Sequence, residues 1–180
     1  MKFPSLAYGA AAAALLLVCG CSAGVPGDSA AAVSRSDAPA ALAEGEVPRP
    51  PAVADEANAV EAEPLNDAGE IASEIASNTM IARVPVDGGL AWLQDGEVVR
   101  TASHDGRRVA YFHPGESRPF LVQQAGQAFA LDEGRPELAY DAEGRPAPVS
   151  DAARAEAERL AEQSRRARDA AEQVEHGTRL

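Results

Sequence analysis

Val84-Pro85-Val86-Asp87-Gly88-Gly89-Leu90-Ala91-Trp92-Leu93-Gln94-Asp95-Gly96-Glu97-Val98-Val99 is the stretch whose reading decides the fold. Short runs of β-branched, aromatic and aliphatic residues are separated by Asp-Gly pairs, the turn chemistry of tight hairpins. The pattern continues through Asp105-Gly106, Pro114-Gly115, Ala125-Gly126, Glu133-Gly134 and Glu143-Gly144. Between these turns lie Val109-Ala110-Tyr111-Phe112, Phe120-Leu121-Val122, Phe129-Ala130-Leu131 and Leu138-Ala139-Tyr140. Seven or so strands joined in sequence follow, a small antiparallel β-meander over residues 79–147. Alternation breaks at Val98-Val99, Tyr111-Phe112 and Phe120-Leu121-Val122, so those strands are expected to be covered on both faces. A domain of this size buries only about 60% of its chain surface, and a further element is expected to cover one face.

Outward from the meander the composition changes. Trp92, Tyr111, Phe112, Phe120, Phe129 and Tyr140 are the aromatic residues beyond residue 20, and they place the core inside the meander. Toward the C-terminus, residues 148–177 read as one helix capped by Ser150 or Asp151, stopped by Gly177 and followed by a tail at 178–180. Ala153, Ala157, Leu160, Ser164, Ala167, Ala171 and Val174 follow heptad spacing along it, with Leu160 and Val174 the large members. Arg154 with Glu158 and Glu162 with Arg166 stand at i, i+4. The helix is expected to lie partly on the β-domain, with self-association in a coiled coil as the alternative.

Residues 22–78 carry eleven acids against Arg35 and Arg49, a net of −9 within a whole-chain charge of −12. Rich in Ala and Pro and without aromatics, residues 21–78 are expected to form a disordered acidic tether. One exception is Asn66 to Ile75, where Ile71 and Ile75 stand one helical turn apart and a short docking helix is possible. The acidic charge argues against nucleic acid as a partner. Cys19 and Cys21 are the two cysteines, so no disulfide framework spans the folded part.

Residues 1–20 open with Lys2 and continue into an uncharged apolar run from Ala10 to Val18, the layout of a signal peptide. The run is too short for the roughly 20 residues of a membrane-spanning helix. Val18-Cys19-Gly20-Cys21 resembles the lipobox of bacterial lipoproteins. The resemblance implies cleavage between Gly20 and Cys21 and acylation of Cys21 by diacylglycerol and a fatty acid. Ser22, in place of the aspartate that resembles an inner-membrane retention signal, implies the outer membrane, with the protein facing the periplasm. Two or three acyl chains anchor stably, since each buried methylene contributes about 0.8 kcal/mol.

Leu138-Ala139-Tyr140-Asp141-Ala142-Glu143-Gly144-Arg145-Pro146 resembles one unit of the YD repeats of bacterial Rhs-type shell proteins, loosely echoed at Leu131 to Pro136. Shared turn chemistry accounts for it. Ser103-His104-Asp105 has the residues of a triad, but neighbours on a strand point to opposite faces and cannot converge. His104 and His113 lack the close-spaced partners of a metal site. The expectation is therefore a non-enzymatic, lipid-anchored envelope protein without a cofactor, binding or scaffolding an envelope protein or cell-wall component. Trp92, Tyr111, Phe120 and Leu160 are the candidate partner-binding residues. The alternatives are a periplasmic hydrolase or metal-dependent enzyme using His104 or His113, and a spacer self-associating through the C-terminal helix.

Overall fold

The computed structural model describes residues 47–178. Cys21 and Gly20 lie outside the described residues. Eight strands form one open antiparallel sheet in sequence order: β1 (Ala82–Val86), β2 (Gly89–Gln94), β3 (Glu97–Ser103), β4 (Arg108–Tyr111), β5 (Leu121–Gln124), β6 (Gln127–Asp132), β7 (Arg135–Tyr140) and β8 (Pro146–Pro148). The expected meander is present, with β8 as an addition. Proline gave no strand signal at β8, because it offers no N–H to a ladder. That same property suits the two edges: Pro85 on β1 and Pro146 and Pro148 on β8 discourage further strand addition.

The hairpins follow from local chemistry. Gln94 pairs with Glu97 across Asp95 and Gly96, whose φ angles are 54° and 88°. Positive φ at both central residues is the requirement of a type I′ turn, and Asp-Gly meets it with little strain. Ala125-Gly126 and Glu133-Gly134 repeat the arrangement. The broken alternation at Val98-Val99 has a geometric cause. Trp92 pairs with Arg100 and Leu93 with Val98, so Val99 is the extra residue of a bulge. Val98 faces the opposite side, and the bulge leaves the successive residues Val99 and Arg100 on the same face, the one that carries Trp92 and Tyr111.

Both faces are covered. Helix α2 (Asp151–Thr178) begins at Ser150, whose Oγ accepts from the Ala153 N–H at 3.3 Å. Its 28 residues measure about 42 Å. Seven strand spacings of about 4.8 Å amount to about 34 Å, so one helix is long enough to cross the whole sheet. It touches strands from β1 to β7. Ala157, Leu160, Ala161 and Ala171 pack there against Leu93, Phe112, Val122 and Phe129. The alanine seam lets the helix approach the sheet closely, in line with the expectation that it lies on the β-domain. Glu162 and Arg166 form their expected pair at 2.9 Å. Arg154 instead donates to the Pro136 carbonyl at 3.1 Å.

The other face is closed by residues expected to be tether. Helix α1 (Ala59–Ser77) is capped by Asn58, which accepts from the Val60 and Glu61 N–H groups, while Glu61 accepts from the Asn58 N–H. This capping box starts the helix well before Asn66. Ala62, Leu65, Ala68, Ala72 and Ile75 are buried at helical spacing. Residues 47–78 thus belong to the folded domain, not to a linker. Their composition misled because Pro64 reads as a breaker and the apolar stripe consists mainly of alanine. Pro64 is accommodated in the second turn, and small side chains suffice where a helix lies flat on a sheet.

Candidate functional site

Trp92, Arg100 and Tyr111 are successive cross-strand partners on β2, β3 and β4, so they form one row on the α1 face. Gln123 on β5 lies in the next row, opposite Val109. The bulge at Val99 sets this register. Arg100 is 5% exposed, and its guanidinium lies 4.8 Å from the Trp92 ring centroid and 5.4 Å from that of Tyr111. Such stacking favours a cation over each ring's negative face. Among the described residues no carboxylate pairs with Arg100. Burial pulls its guanidinium below the ordinary arginine value, Tyr111 opposes the shift and Arg49 adds to it. Burial raises the Tyr111 phenol in turn, which keeps it neutral.

A proline-rich strap passes over this row. Val47 is buried in the same core cluster as Trp92 and Tyr111. Arg100 donates to the Pro48 carbonyl at 3.3 Å, and Gln123 Nε2 donates to the Arg49 carbonyl at 3.1 Å. Pro48, Pro50 and Pro51 have no N–H, so the strap cannot join the sheet as a strand and is held by side-chain donors. Farther along, the Ala52 carbonyl crosses the β7–β8 turn at Gly144, where a Cβ would lie 1.8 Å from its oxygen. Arg145 then meets Glu56 at 3.3 Å.

Helix α1 returns the chain across the face. Tyr140 donates to the Glu61 carbonyl at 2.7 Å near the start of α1, and Gln94 donates to Glu74 Oε1 at 2.7 Å near its end. Strap and helix together form a hairpin over the sheet, running from β3 to β7 and back to β2. Beneath it four buried polar atoms have no partner among the described residues: Trp92 Nε1, Arg100 Nε, Tyr111 OH and Gln123 Oε1. Unmade hydrogen bonds at buried groups cost about 1–3 kcal/mol each, so their concentration at one place marks it out.

The candidate partner-binding residues are placed differently from the expectation. Trp92, Tyr111, Phe120 and Leu160 are 2%, 0%, 8% and 2% exposed, so none presents an open surface. Trp92 and Tyr111 meet in the cluster under α1, whereas Leu160, on α2, packs in the cluster on the opposite face of the sheet. Large apolar groups draw their own chain's helices over them before they can wait for a partner. Leu160 also lines a cavity of about 450 Å3 between α2 and the β2–β3 end of the sheet, with Thr101, Ser103, Arg108 and Gln163.

Ser103 donates to Asp105 and accepts from the Arg108 N–H, while Asp105 accepts from Arg107. The Ser103 hydroxyl, followed by the Arg107 N–H, holds the Asp105 carboxyl below its usual range. His104 is exposed, and the His113 ring stacks on Phe120 at 4.1 Å. The Tyr140-Asp141 unit serves the β7–β8 turn: Asp141 Oδ1 accepts from the Glu143 and Arg145 N–H groups, both at 3.0 Å. Sequence reasoning missed Arg100, Gln123 and the strap. The available signal was an arginine directly after Val98-Val99, between two aromatic-bearing strands.

Fold and site together define a three-layer α/β/α domain built on an antiparallel meander, with one buried arginine, Arg100, that pairs with no carboxylate among the described residues. Compared with known protein families, curated proteins and solved structures, the chain matches none.

Proposed function

We propose that this chain is an envelope lipoprotein, cleaved after Gly20 and acylated on Cys21, whose folded domain binds or scaffolds another envelope component without transforming it. The anchor rests on Val18-Cys19-Gly20-Cys21 and the apolar run before it. Among the described residues no helix is long and apolar enough to cross a membrane. Ser22 favours the outer membrane and the periplasmic side.

Binding, as against catalysis, is carried by one observation: the Trp92–Arg100–Tyr111–Gln123 cluster holds unspent hydrogen-bonding capacity and a cation but no nucleophile beside a base. Ser103 and Asp105 are engaged in a turn, and His104 and His113 stand on different loops.

Mass spectrometry of the mature N-terminus is expected to find acylated Cys21, and Cys21→Ser to leave an unlipidated or uncleaved protein. Crosslinking in intact cells is expected to capture an envelope protein or cell-wall fragment. A hydrolytic or metal-dependent activity lost in His104→Ala or His113→Ala would replace the binding reading by an enzymatic one.

A further inference from the structure

A guanidinium withdrawn from water is ordinarily met by a carboxylate, because an unpaired buried charge costs several kcal/mol. Arg100 is met by two aromatic rings and one backbone carbonyl. Arg49 on the strap adds a second positive charge that acts on both Arg100 and Tyr111. In a chain of net charge −12 this is a local concentration of the opposite sign, so an anion reaching it would be selected by the site and not by the protein's overall field.

The unpaired atoms state what the anion must offer. Trp92 Nε1 and Arg100 Nε only donate, Tyr111 OH can donate or accept, and Gln123 Oε1 only accepts. A carboxylate or a sulfate would serve the donors but has no proton for Gln123. A monohydrogen phosphate group has both charged acceptor oxygens and one P–OH. We propose that Trp92, Arg100, Tyr111 and Gln123 form a binding site for the phosphate group of a small ligand, entered when strap residues Val47–Arg49 lift. The strap's hydrogen bonds at this end come from Arg100 and Gln123, so an arriving phosphate takes over the donors that hold the lid. The site is independent of how the chain reaches its membrane.

Trp92 is the single tryptophan of the chain, so its fluorescence reports on the site directly. The full mature protein is titrated at constant ionic strength and about pH 5, below the second phosphate pKa of about 6 so that both probes carry a P–OH, with inorganic phosphate and, separately, glycerol phosphate. A saturable change in Trp92 emission is expected, weakened at least tenfold in Arg100→Gln and unchanged in Arg107→Gln. Tyr111→Phe keeps the ring packing and serves if Arg100→Gln does not fold; at least threefold weakening is expected there. Equal binding of the two probes assigns the site to the phosphate group alone, and tighter glycerol phosphate assigns it to an ester or headgroup. No saturable change with either probe, an equal response to acetate or sulfate, or full retention of binding in both variants overturns the proposal.

Discussion

Leu65→Ala tests whether α1 is a structural layer of the domain. Leu65 is 2% exposed and packs within the cluster that contains Trp92, Tyr111 and Leu121. Its neighbours on the helix stripe, Ala68 and Ala72, are too small to fill a void, and the sheet beneath is rigidly hydrogen-bonded. The site should therefore collapse little, which places the cost near 3 kcal/mol within the usual 2–5 range for such truncations. For a domain of this size that corresponds to a fall in Tm of about 10 °C. Urea unfolding followed by circular dichroism should show a lower midpoint with an unchanged slope. Val60→Ala, on the same helix but 75% exposed, should change stability by less than about 0.5 kcal/mol. Equal, small effects of both substitutions would refute the docking of α1 and return residues 59–77 to the tether.

Three further outcomes follow from the packing. Truncation after Pro148 uncovers Leu93, Phe112, Val122 and Phe129, and Leu160→Asp buries a charge against them, so both should abolish cooperative thermal unfolding; a normal melt of the truncated chain would show that α2 is not needed. Gly144→Ala combines a φ of 75° with a Cβ directed at the Ala52 carbonyl, and should destabilise by at least about 2 kcal/mol, whereas Gly69→Ala, with open space around it, should be neutral or stabilising in a chemical melt. Burial, followed by the nearby Glu61 charge, pushes the Tyr140 phenol up to about 12 from an ordinary 10, so the folded state favours the neutral form. That contribution is fully present below pH 10 and lost as pH rises through about 12; it is on the order of 2 kcal/mol. Tyr140→Phe should flatten the loss of stability between about pH 10 and pH 12 in urea titrations, and an unchanged slope would contradict the assignment.

The meander was legible because its information is local. Asp95-Gly96 and its counterparts dictate hairpins through φ angles alone, and hairpins joined in sequence leave little topological choice. The C-terminal helix was legible for the same reason, since Ser150 and the alanine seam mark it within a single segment, although it runs through Gly177 to Thr178 where a stop was expected. What covers each face was not local. Helix α1 is stable because Leu65 and Ile75 find the sheet, and no propensity of a segment containing Pro64 expresses that. The candidate site was less legible still. Trp92, Arg100, Tyr111 and Gln123 stand on four different strands, and they share a face only because the extra residue Val99 shifts the register between β2 and β3. A side-chain period of two makes every facing depend on such a shift, so tertiary pairing alone decided that the arginine joins Trp92 under the strap and α1 and does not lie on the α2 face.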